Sequence, residues 1–93
     1  MSKEANIKKL LEIEIRTILL KDWDPIGIKD IPEAQDEYDS YISSIYELIN
    51  SKKPESEFFE YLWWIETENM GLSGNRKHTK DIAHKLFKLS NPP

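Results

Sequence analysis

The chain has 93 residues, 39% apolar and 11% aromatic, with 13 basic and 17 acidic side chains for a net charge of −4. That length is one domain, and the aromatic share is too high for a typical disordered chain. No apolar run nears the roughly 20 residues of a membrane span, the N-terminus lacks a signal peptide's apolar core, and with no cysteine there are no disulfides, thiol nucleophile or zinc–thiolate site.

Hydrophobic periodicity predicts an all-α, single-domain bundle of four helices over residues 1–93, with Asn91, Pro92 and Pro93 as a frayed tail. The first helix is expected from about Lys3 to Leu20. At about 100° per residue, Ile7, Leu11, Ile15 and Ile18 share a face, Leu10 and Leu19 lie at its edges, and Ile13 and Leu20 fall opposite, where another element covers them or they meet a partner. Glu14 sits within the apolar arc, where a carboxylate must be bonded, paired or able to reach water.

Pro25 and Gly27 break the helical pattern in Trp23-Asp24-Pro25-Ile26-Gly27. An ordered loop is expected there, with Trp23 and Ile26 turned inward as plugs at the bundle end.

Asp30, followed by Pro32 and Glu33, has the spacing of a capping box and starts the second predicted helix. Ala34, Tyr38, Tyr41, Ile42, Ile45, Leu48 and Ile49 form its apolar arc. Asp36, Asp39, Ser43 and Glu47 lie opposite, and Asn50-Ser51 with Pro54 beyond ends it.

The third helix, from about Pro54 to Asn69, is apolar nearly all round. Phe58, Tyr61, Leu62 and Ile65 form one stripe, and Phe59 and Trp63 a second. Trp64 points a third way, towards Glu57, Glu60 and Glu68. Such a helix is central or carries a contact surface; its aromatics thicken the core or bury a homodimer interface. Gly71 is placed to stop it. Asn75 then caps a fourth helix to about Leu89, with Ile82, Ala83, Leu86 and Leu89 inward and Lys77, Lys80, His84 and Lys88 outward.

Charge is divided along the chain. Residues 1–21 carry five basic and three acidic side chains, residues 22–74 three and thirteen, and residues 75–93 five and one. Two explanations stand: complementarity inside an antiparallel bundle, or an acidic face that steers a basic partner.

The residues offer little to catalysis. Asp22, Asp24, Asp36, Glu37 and Asp39 lack the spacing of a hard-cation loop. Glu14 and Glu66 are acids within apolar arcs but carry no surrounding motif, and nucleophile, phosphate-loop and dinucleotide signatures are missing. Nucleic-acid binding would rest on Arg76, Lys77, Lys80, Lys85 and Lys88, against repulsion from the acidic middle segment.

Trp23-Asp24-Pro25-Ile26-Gly27, Asp36-Glu37-Tyr38-Asp39-Ser40-Tyr41 and Ile65-Glu66-Thr67-Glu68-Asn69-Met70-Gly71-Leu72 resemble a family of small bacterial proteins of unknown function. They share a Trp-Asp-Pro-[Ile/Leu]-Gly turn followed by an acidic-tyrosine helix. The resemblance covers about Ile18 to Leu89 and implies a compact helical fold in the bacterial cytoplasm, with no activity attached. Some members look like small acidic immunity proteins that neutralise toxins. The turn itself has a structural reading: Trp23 buried, Asp24 accepting backbone N–H bonds, Pro25 and Gly27 setting the path.

These features point to a non-catalytic protein-binding module without a cofactor, toxin neutralisation among its roles, with Asp36, Asp39, Glu47, Glu57, Glu60 and Trp64 facing a basic protein partner. Charge reversal at Asp36 and Asp39 is expected to weaken partner capture while the fold survives. The alternatives are a small ligand-binding protein or enzyme built around buried Glu14 and Glu66, and a DNA-associated helix pair over residues 54–89.

Overall fold

A computed structural model describes residues 3–90, with side chains from Asn6 onward; the expected frayed tail lies outside the described residues. Four α-helices, α1 (Lys3–Thr17), α2 (Ile42–Asn50), α3 (Glu55–Trp64) and α4 (Arg76–Leu89), form an all-α bundle, with no strand among the described residues. Ile15 and Leu19, Ile45 and Ile49, Phe58, Leu62 and Ile65, and Ile82, Ala83 and Leu86 close one core between them. Full burial of such side chains stabilises by about 1.5–3 kcal/mol each.

Two helices end in π turns. α1 continues as a π-helical segment Ile18–Trp23, closed by Asp24 N–H on the Leu19 carbonyl. α3 continues as Ile65–Asn69, closed by Met70 N–H on Ile65. An i→i+5 bond holds one more residue per turn than an α-helix, so side chains beyond it lag behind their α-helical direction. Of the two far-side residues of the first helix, Leu20 is covered by another element and buried, and it leads into Trp23, only 2% exposed.

The turn after α1 is held by side chains. Asp24 takes a left-handed conformation (φ 34°, ψ 60°), a region Asp tolerates better than most residues. Its Oδ1 accepts from Ile28 N–H (2.7 Å) and from the Tyr38 hydroxyl (2.8 Å), and its Oδ2 from Lys29 N–H (3.2 Å). Ile28 fills the core, while Ile26, expected inward, is 44% exposed. Gly27, at φ 66°, turns the chain between them.

The second helix is shorter than the apolar arc suggested. Residues 30–41 form two 3₁₀ turns, Pro32–Ala34 and Asp39–Tyr41, and only residues 42–50 are α-helical. Asp30 does not act as a cap: the residue ahead of the first 3₁₀ turn is Ile31, with no side-chain cap bond. The reason lies in competing partners. Asp24 takes the N–H groups of Ile28 and Lys29, Gln35 Nε2 donates to the carbonyls of Lys29 and Ile31, and Arg16 Nη2 donates to the Gln35 carbonyl. Those bonds fix the backbone in turns.

A short α2 leaves α1 uncovered at its start. Nine residues of α-helix span about 14 Å and fifteen about 22 Å. Ile7 and Leu10, expected to face or border the core, are therefore 55% and 62% exposed, and Ile13 is exposed beside them. Glu14 is exposed too, so its place in the apolar arc involves no burial. α4 follows its sequence pattern closely, with Asn75 Oδ1 accepting from His78 N–H at 3.1 Å.

Candidate functional site

The bundle divides its acidic side chains into two groups. Asp39 accepts from Arg16 Nε at 2.9 Å, tying the second 3₁₀ turn to α1. Asp22 meets Lys85 at 3.2 Å, Glu55 meets His84 Nδ1 at 2.9 Å, and Asp81 meets Lys77 at 3.4 Å. Partly or largely exposed pairs of this kind contribute about 0–1 kcal/mol each, but the lysine and arginine pairs neutralise charge locally. Among the described residues no cation pairs with Asp36, Glu47, Glu57 or Glu60.

Glu57 and Glu60 lie together on α3. With Tyr61 they line a shallow groove of about 290 Å³ against Ser44 and Leu48 of α2. Trp64, one turn along, is 50% exposed and stacks on Tyr61, ring centroids 6.4 Å apart and planes 15° from parallel. Trp63, its neighbour, is committed elsewhere: it stacks on Phe59 at 5.7 Å, lies 5.1 Å under the Arg76 guanidinium, and has Gly74 against its ring. The two tryptophans thus have different surroundings, one packed between α3 and α4, the other presented to solvent beside carboxylates. Glu47 is exposed on α2. Asp36 is exposed in the turn ahead of Asp39, and neither of those two lines the groove with Glu57 and Glu60.

The five basic residues of the nucleic-acid alternative are largely engaged. Arg76 lies over Phe59 and Trp63, Lys77 pairs with Asp81, and Lys85 with Asp22. A groove of about 600 Å³ beside Arg76, Lys77 and Lys80 is also lined by Glu55, whose charge opposes a phosphate.

A second feature lies just beyond the C-terminal end of α3. Glu66 is 4% exposed, and its Oε2 accepts from Trp23 Nε1–H and lies within hydrogen-bond distance of Thr79 Oγ1, both at 2.7 Å. The Thr79 hydroxyl is also 2.9 Å from the Asn75 carbonyl, so its single proton is shared between two acceptors. His78 Nε2–H donates to the Trp23 carbonyl at 3.1 Å. The first π turn brings Trp23 into this network and the second carries Glu66. A pocket of about 300 Å³ opens over the carboxylate between Asp24, Pro25, Leu72 and His78. Glu14, the other acid singled out from the sequence, takes no part: it is exposed on α1, away from this pocket.

Beside this pocket, burial raises the pKa of Asp24, but the bonds from Ile28, Tyr38 and Lys29, with the charge of Lys29, outweigh it, and the net value falls below the ordinary 3.8. Tyr38 is pushed the other way, first by burial and then by its bond to the Asp24 carboxylate and the charges of Asp24 and Glu37, against the lowering effect of Ile26 N–H. The pair therefore holds an ionised carboxylate and a neutral phenol near neutral pH, a geometry suited to support rather than proton transfer.

No protein-family model, curated protein or solved structure matches this chain. Two surfaces of the molecule remain as candidates: the acidic aromatic groove of α2 and α3, and the pocket over Glu66.

Proposed function

We propose that this protein is a non-catalytic binding module whose α2–α3 face takes a basic segment of a partner protein. The observation that carries this reading is the exposed Trp64 stacked on Tyr61 beside Glu57 and Glu60, two carboxylates that pair with no cation among the described residues. Large aromatic rings in a partly desolvated setting supply most of the energy in protein interfaces, and a rim of like charge steers the partner and fixes its sign. The groove against Ser44 and Leu48 offers a place for an apolar residue of that segment. Occluding a basic partner in this way is the physical act that toxin neutralisation requires.

The residues assigned to this face are Glu57, Glu60, Tyr61 and Trp64, with Glu47 as a flanking charge. Asp39 pairs with Arg16 instead, so its reversal would remove that pair as well as change the surface charge. The test is binding of a lysine-rich helical peptide at low and physiological salt. Glu57→Lys with Glu60→Lys is expected to weaken it about tenfold or more, with helical content unchanged. Equal affinity in the double variant would remove the proposal.

A further inference from the structure

The Glu66 carboxylate is buried among neutral donors. Its Oε2 takes Trp23 and Thr79, and no described residue donates to Oε1. Yet no buried side-chain oxygen or nitrogen among the described residues lacks a partner, so Oε1 retains a small accessible surface. Glu66 lines one pocket, the one described above, whose apolar walls come from Trp23, Pro25 and Leu72.

We infer that this pocket binds a primary alkylammonium group, its N–H donating to Glu66 Oε1 and its apolar stem lying against Trp23, Pro25 and Leu72. Among the described residues no lysine or arginine pairs with this carboxylate, and His78 on the pocket wall is spent on the Trp23 carbonyl through Nε2; a buried carboxylate left so is electrostatically costly, and a paired cation offsets that cost. The donor set selects the kind of cation. Asp24 also lines the pocket; its Oδ1 already accepts two bonds and its Oδ2 one, so it adds negative potential and little further acceptor capacity. Glu66 Oε1 and one remaining site on Asp24 Oδ2 are too few for a hard metal ion, which needs several oxygens converging at once. A guanidinium fork is best matched by both oxygens of one carboxylate, and Glu66 Oε2 is taken, whereas an ammonium is a compact charge that one oxygen can hold. An anion would face two carboxylates. The volume, about 300 Å³, is at the small end of ligand pockets and fits a four- or five-atom stem.

Two sources share this chemistry, a free alkylamine and the side chain of a lysine in a polypeptide. The pocket shares no lining residue with the α2–α3 groove, so its test is independent of the proposal above. The Trp23 indole N–H is bonded to Glu66 and its NMR resonance reports directly on the carboxylate. Titration with n-butylamine is expected to shift that resonance saturably, with a Kd on the order of millimolar for so small a ligand, while n-butanol and n-butyrate leave it in place. Saturation also by Nα-acetyl-lysine methylamide assigns the site to a lysine side chain; saturation by n-butylamine alone assigns it to a free amine. Glu66→Gln, checked for native helical content, is expected to weaken binding about tenfold or more. Leu72→Trp, which fills the pocket mouth and leaves both Glu66 bonds intact, carries the same expectation should the first variant not fold. No saturable shift with the amine, an equal shift with butanol, or undiminished affinity in the folded variants would overturn the inference.

Discussion

Trp23 and Glu66 are 43 residues apart in the chain, and the indole N–H of one donates to the carboxylate of the other at 2.7 Å in the core. Each stands in a π turn that ends a longer helix. π turns are uncommon and concentrate at functional positions. Here the pair locks the end of α1 to the end of α3, and Thr79 adds α4 to the same oxygen.

The consequence for stability is specific. In Glu66→Ala the Thr79 hydroxyl keeps the Asn75 carbonyl as acceptor, but Trp23 Nε1–H loses its partner. A buried donor left without an acceptor costs about 1–3 kcal/mol. Urea unfolding should show a loss of that size, and a smaller one, under about 1 kcal/mol, for Glu66→Gln, which retains a carbonyl oxygen. Equal losses in the two variants would show that the acceptor is not what matters.

Asp24 makes stability depend on acid. Its folded pKa is lowered, so it binds protons less readily folded than unfolded, and its contribution is complete above the unfolded value near 3.8 and lost as pH falls through the folded value. The stability difference between wild type and Asp24→Asn should therefore stay constant above about pH 5 and shrink below about pH 4. A difference that persists undiminished in acid would contradict the role given to its charge.

Gly74 and Gly27 both have positive φ, +81° and +66°, but only one is crowded. A Cβ at Gly74 would lie 2.8 Å from the Trp63 ring, whereas at Gly27 it meets nothing within 4 Å. Gly27→Ala should cost about 1–2 kcal/mol for the left-handed backbone alone. Gly74→Ala should cost about 1–3 kcal/mol more, because the tryptophan must move. Thermal or urea unfolding of the two variants gives the order, and a Gly74 variant no worse than the Gly27 variant would mean that Trp63 yields freely.

Much of the bundle is legible in the sequence. The 3.6-residue repeat places Phe58 and Leu62 of α3, Ile65 just after it and Ile82 and Leu86 of α4 inside, and Asn75 announces the start of α4. What escapes the repeat has physical causes. The π turn changes the angle per residue, so the continuation of α1 through Trp23 is not seen in the pattern, although the inward place of Trp23 is. The 30–41 stretch has the pattern of a helix, but Asp24, Gln35 and Arg16 bond its backbone and neighbours in turns, a competition decided by residues outside the window. Of the candidate site, the outward direction of Trp64 and the arc position of Glu66 are readable from spacing. Tyr61 as the stacking partner, and Trp23 and Thr79 as the donors, come from tertiary contacts that spacing does not contain. The same holds for the separation of Asp39 from Glu57 and Glu60, since the wheel cannot show that Arg16 claims it.

The most direct measurement of the proposed function is a chemical-shift map of the ¹⁵N-labelled protein titrated with the lysine-rich helical peptide. The account predicts saturable shifts centred on Ser44, Leu48, Glu57, Glu60 and Tyr61 and on the Trp64 indole N–H, weakened by added salt. Shifts absent from this set, or confined to the turn around Asp36 and Asp39, would contradict it.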